Sequence, residues 1–315
     1  MAILGASRAS SGRTAPSGGV GDRSASSTER VRRTAAILER RGYAVTPARL
    51  GELCLGGPLS EQAVLAAVAS STELESCHGL VLPTGLSGAC PAILRRAEAH
   101  QANAAGCLAL AMSFVRTLVR LSPYLLSVSV AGSLASGGYL VSDDVDLNLI
   151  VEDGYRHVAY VAVNVLGMVH ALRHRGKPVD THTRRPLAPR FMTANLILER
   201  SQCFPLARQD EDMAYEFLAS LPVYGIGLWR KVVTANPGLC RHFPQLEGRQ
   251  LETVVLGRPA LPRWLFPAML DGPAYALGHT AWRYMQWTRR KRPDALARVS
   301  YVRETMQPYA LFDDW

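Results

Sequence analysis

A chain of 315 residues with 48% hydrophobic content can bury a sizeable core and form two or three domains, which excludes a wholly disordered protein. The formal net charge of +9 favours anionic partners, phosphorylated small molecules or nucleic acid, and is equally compatible with a plain solvated basic surface. Six cysteines without a CxxC or a Cys/His cluster exclude a zinc-ribbon framework, and most of them read as small core filler in a reducing, cytoplasmic setting.

Residues 1–29 are rich in Ser, Gly and Arg and poor in large apolar residues, the composition of a disordered tail. Residues 30–86 read as three short helices and a strand. "STERVRRTAAILERRGY" opens on Ser/Thr with Glu29 in the first turn and stops at Arg-Arg-Gly. "TPARLGELCL" carries Pro47 near its first position, and "SEQAVLAAVASS" has Ser60 as a cap. "CHGLVLPTG" is a strand bounded by Gly and Pro. The order is that of a winged-helix-like domain. Its third helix contains no Arg or Lys, which removes most phosphate contacts and favours a structural or interaction role over DNA binding.

Residues 87–205 alternate helix and strand. The run at 90–121 is a long amphipathic helix with Pro91 near its start and Pro123 beyond its end. Arg116 and Arg120 break it as a membrane span, so no membrane partner is expected. Then come the strand "LLSVSVAGS", the run "SDDVDLNLIV", a helix over 156–174, the basic loop "GKPVDTHTRRPLAPR" and the strand "RFMTANLILE". His170 and His174 are four apart but lack the Glu of HExxH, and so read as a surface pair. Residues 206–315 read as helical: "QDEDMAYEFLASLP", "GIGLWRKVVTAN" and, after a Pro-rich loop, "GPAYALGHTAWRYMQWTRRKR". Trp229, Trp264, Trp282 and Trp287 stand at helical spacings among apolar neighbours, which predicts packing in the core or between helices.

Asp144 and Asp146 carry the chemistry. On a strand they share one face while Val145 points the other way. Two carboxylates so placed repel each other unless a cation lies between them, and Mg²⁺ or Mn²⁺ takes such oxygen ligands together with substrate phosphates. Gly132-Ser133, ending the preceding strand, lets the backbone approach a phosphate and adds a hydroxyl.

The combination Val130-Ala131-Gly132-Ser133, a gap of ten residues and Asp144-Val145-Asp146-Leu147 resembles the DNA polymerase β-like nucleotidyltransferase superfamily. Further matches, Asn195, Ala214, Glu216, Pro222, Gly225, Asn236, Phe243 and Pro244, resemble bacterial nucleotidyltransferase-domain proteins that carry a small helical domain before the Gly-Ser strand. The resemblance implies an α+β fold: a small mixed sheet with flanking helices over 87–205, the winged-helix-like domain over 30–86 and a helical region over 206–315. It implies Asp144 and Asp146 as metal ligands, Gly132, Ser133, Asn195 and Lys177 at the nucleotide, and Glu216 as the third carboxylate or base. Asn195, Glu199, Asp180 and Glu216 all stay open as that third group. Two departures stand out: Asp143 occupies the usual Ser position, and Pro237-Gly238 follows Asn236.

The implied activity is Mg²⁺-dependent transfer of a nucleoside monophosphate from an NTP to a hydroxyl of a small-molecule acceptor, as in specialised metabolism or antibiotic modification. The alternatives are transfer to RNA or protein, as in toxin–antitoxin systems, and a degenerate nucleotide-binding regulator. The lack of a long basic stripe with interleaved aromatics argues against nucleic acid as partner.

Overall fold

The computed structural model describes residues 25–141, 143–173, 192–251, 257–290 and 307–312. The chain is α+β, with small sheets among many helices. It begins with α1 (Ser27–Arg40), α2 (Pro47–Glu52) and α3 (Glu61–Ala69). Ser26, Thr46 and Ser60 cap them, each side chain accepting an N–H of the first turn. Then β1 (Leu74–Cys77) and β2 (Leu80–Pro83) form an antiparallel hairpin around His78-Gly79. The sequence reading found only the second of these strands, because "LESC" lacks any strand pattern.

The hairpin also corrects the reading of the cysteines. Cys77 is bonded to Cys90, the first residue of α4 (Cys90–Leu121), over a Cα separation of 6.6 Å. The turn through β2 returns the chain to Cys77, a proximity that spacing alone does not encode. Cys54, Cys107, Cys203 and Cys240 are buried and free, as core filler should be.

The central sheet has the order β5-β4-β3-β6, from β3 (Leu125–Ala131), β4 (Val145–Val151), β5 (Met192–Glu199) and β6 (Leu221–Tyr224). The β3–β4 and β3–β6 pairs are antiparallel, and β4–β5 is parallel. Val145, Leu147, Leu149 and Val151 alternate onto one face and are fully buried with Phe114, Val115 and Leu118 of α4 and with α6 (Arg156–Arg173). By length and composition α4 could cross a membrane, yet this inner stripe lies in the core beneath the sheet.

The other face of the sheet is covered by α7 (Glu211–Ala219), α8 (Ile226–Ala235), α9 (Pro237–His242) and the N-terminal helices. Val31, Ile37 and Leu38 of α1 join one hydrophobic cluster with Leu196, Leu198, Met213, Phe217 and Trp229. Ion pairs reinforce that joint: Arg33 with Glu211, and Arg40 and Arg41 with Asp212. Asn236, buried completely, donates to the carbonyls of Cys203 and Val232 and accepts from Leu206 N–H and the Gln209 amide, so three of these bonds tie the end of α8 to the segment before α7 and the fourth closes on α8 itself.

Finally, α10 (Asp271–Arg289) packs on α6. Its first residue, Asp271, accepts the N–H groups of His157 and Val158 and pairs with the His157 ring, capping α6 from outside. Trp229 is buried as expected, but Trp264 and Trp287 are exposed, against the packing role that their spacing predicts.

Candidate active site

The two halves of the motif meet at the end of the β3–β4 ladder. Ala131 of β3 pairs with Asp146 of β4, and Gly132 turns the chain into the short helix α5 (Gly132–Ser136). Gly132 has φ +63°, and a Cβ there would lie 2.1 Å from Asp146 Oδ2. Only glycine fits, because the carboxylate rests directly on its Cα. Residues fourteen positions apart are thus placed in contact by one step of register.

The loop from Gly137 to Asp144 is fastened by α4. Arg96 donates to the Gly138 carbonyl and, at 2.5 Å, to Asp143 Oδ2. That oxygen also accepts Leu140 N–H at 3.2 Å. One turn along α4, His100 Nδ1 accepts Tyr139 N–H at 3.2 Å. Asp143 therefore closes the loop onto Arg96. Nothing in the spacing of the sequence ties Arg96 to a loop 47 residues away.

Asp146 is partly exposed, and Thr193 sits opposite it on the parallel neighbour β5. The Thr193 hydroxyl donates to Asp146 Oδ1 at 2.8 Å. Sequence reasoning looked to Asn195 on this strand and missed Thr193. A register shift between the Leu147 and Asn148 pairs explains why: Asn148 is opposite Leu196, so Asn195 is the extra residue of a bulge. The bulge aims Asn195 at Asn148, its amide donating to Asn148 Oδ1 at 3.1 Å.

Glu216 of α7 completes this second polar group. Its Oε1 accepts from the Asn148 amide at 2.8 Å and the Asn195 amide at 3.2 Å. Arg41 approaches from the N-terminal helices. Its guanidinium sits 4.7 Å over the Tyr215 ring and binds Asp212. Burial works against the charge on Arg41, but the nearby Glu216, Tyr43, Asp212 and Tyr215 hold its pKa above the ordinary value. Burial likewise pushes the Tyr43 and Tyr215 hydroxyls up, so both stay neutral. Behind Asn148, a cavity of about 20 Å³, room for one water, is lined by Ser127, Ser129, Ser220 and Trp229.

Of the remaining candidates, Glu199 alone lies among the described residues. Glu199 ends β5, where its carboxylate accepts Gly154 N–H. Lys177, Asp180, Arg184, Arg185 and Arg190 lie outside the described residues. Among the described residues no group of three or more His, Cys, Asp or Glu side chains could hold a metal ion. What the fold gathers is the Asp146 carboxylate against Gly132 and the Thr193 hydroxyl, two residues along the chain from Asp144, and a separate Asn148–Asn195–Glu216 group one strand step further on. No family model, no curated protein and no solved structure matches the chain.

Proposed function

We propose that the chain is a divalent-metal-dependent nucleotidyltransferase with a polymerase β-like core and a winged-helix-like N-terminal unit, transferring a nucleoside monophosphate from an NTP to a hydroxyl of a small-molecule acceptor. The observation that carries the reading is the contact between Gly132 and Asp146, which joins the glycine turn to the aspartate strand. The N-terminal part of the reading draws support from three capped helices followed by a hairpin.

The donors at this end of the sheet suit a hard cation: carboxylate oxygens of Asp144 and Asp146, with no sulfur or imidazole among them. Asp144 and Asp146 would hold Mg²⁺ or Mn²⁺, which, bound with the triphosphate, would neutralise charge developing at the phosphoryl group. Everything else falls to the chain. Gly132 keeps the turn free of side chain so that phosphate oxygens can approach the backbone. Thr193 fixes the Asp146 carboxylate by bonding Oδ1. An acceptor hydroxyl attacks the α-phosphorus in line; the new O–P bond forms as the bond to the β-phosphate oxygen breaks and pyrophosphate leaves. Asn148 and Asn195 both hold Oε1 of Glu216, which leaves Oε2 to take the proton of the acceptor hydroxyl.

A second reading, nucleotide binding without transfer, is favoured by one observation: the β5 residue facing Asp146 is Thr193 and not a carboxylate. Calorimetry with ATP, CTP, GTP and UTP in Mg²⁺ tests both, on the wild type and on Asp144→Ala/Asp146→Ala. Binding lost in the double variant supports the shared site, and pyrophosphate release with an acceptor panel then separates transfer from binding. A wild type that binds no nucleotide, or a double variant that binds as well, overturns the proposal.

A further inference from the structure

The helix α10 has two apolar faces. The inner one is buried: Ala274 and Trp282 join the cluster of Tyr160 and Phe312, and a Cβ on Gly278 would lie 3.0 Å from both of those rings. The outer face is uncovered. Leu277 is 60% exposed, Tyr284 44% and Trp287 54%, and they lie at i, i+7 and i+10 along one side of the helix. The two single-turn 3-10 segments that lead into α10 continue this character, with Trp264 75% and Met269 80% exposed. Large apolar tips so open to water mark a surface that meets something.

Among the described residues of 257–290 the exposed charges have one sign. Arg258, Arg283 and Arg290 are exposed, while the acidic residue of the segment, Asp271, is engaged with His157, and Arg263 is engaged with Glu152. The Arg290 guanidinium lies 4.6 Å over the Trp287 ring. We propose that residues 264–290 dock the protein peripherally on an anionic lipid surface, with the apolar tips in the headgroup boundary and the arginines on lipid phosphates. Trp and Tyr favour that boundary, where one end of the ring is apolar and the other wet. A second copy of the chain fits less well, since a two-fold pairing would bring like-charged arginines together. A nucleic acid fits less well too, because Met269 and Leu277 have no ring on which a base can stack.

The test is flotation of the full chain with vesicles of phosphatidylcholine alone, and of equal parts phosphatidylcholine and phosphatidylglycerol. The expected result is partition onto the anionic vesicles, weakened by salt, with a blue shift of tryptophan emission. Trp264→Ser/Met269→Ser/Leu277→Ser should lower partition at least about tenfold with its thermal melt unchanged, and Arg283→Gln/Arg290→Gln should flatten the salt dependence. No partition of the wild type, or equal partition of the triple variant, overturns the proposal. So does a concentration-dependent dimer, or oligonucleotide binding, that the triple variant abolishes without any lipid effect.

Discussion

The two faces of β4 divide the molecule's labour. Val145, Leu147, Leu149 and Val151 go into a predominantly apolar core with α4 and α6. Asp146 and Asn148 point the other way, beside Thr193, Asn195 and Glu216. Further along that second face Ile150, Leu196 and Leu198 are apolar again and bury against α7 and the N-terminal helices. The polar patch is therefore confined to the first half of the strand. Strong packing on one face lets the other keep groups whose burial would otherwise be costly, and the apolar end of the second face anchors the cover over them.

That division can be broken most decisively by adjacent substitutions. Leu147→Ala should cost about 2–5 kcal/mol in urea unfolding while leaving Mg²⁺-dependent nucleotide affinity of the folded fraction unchanged. Asp146→Asn should do the reverse, weakening that affinity at least about a hundredfold while unfolding stability changes by less than about 1 kcal/mol. Two variants that each lost both properties would show that the faces are not separable. Gly132→Ala sits at the seam and should fail on both counts, losing about 2–4 kcal/mol and nucleotide binding together, since its Cβ meets the Asp146 carboxylate.

Smaller effects sharpen the picture. Arg96→Met removes the partner of Asp143 and should cost about 1–3 kcal/mol. Adding Asp143→Ser should cost little more, because the two side chains act as one pair, and a double-mutant cycle that comes out additive would refute the clamp. Acid should loosen the covers before the sheet. Burial raises the Asp212 carboxyl but Arg40 and Arg41 bring it below the ordinary value, and for Asp271 the His157 bonds outweigh burial in the same way. Each depressed carboxyl therefore contributes stability that is present above about pH 4 and lost as pH falls through its folded value. Amides of α1 and α6 should gain hydrogen exchange below about pH 4 while β3 and β4 stay protected, and simultaneous loss would argue against separate ionic joints.

Much of this was readable in the residues, for reasons that also explain the gaps. The Val145-Asp146-Leu147-Asn148-Leu149 alternation announces a strand with two characters, and α4 runs from Cys90 to Leu121 as its Pro boundaries dictate. β6 was hidden because "LPVY" contains Pro222 and is short, and it survives by pairing with β3 at the sheet edge. The bulge that singles out Asn195 is a property of two strands together and has no local signature. Trp264 and Trp287 carry the same spacing signal as the buried Trp229, and periodicity does not say which side of a helix meets protein.

The Arg96–Asp143 pair has a consequence in charge stoichiometry. Asp143, Asp144 and Asp146 bring three negative charges to one turn of chain, and Arg96 at 2.5 Å cancels one of them locally. The three carboxylates are therefore not equivalent: one holds the loop to α4, and replacing Asp143 by Ser would leave Arg96 a surplus cation beside Asp144 and Asp146.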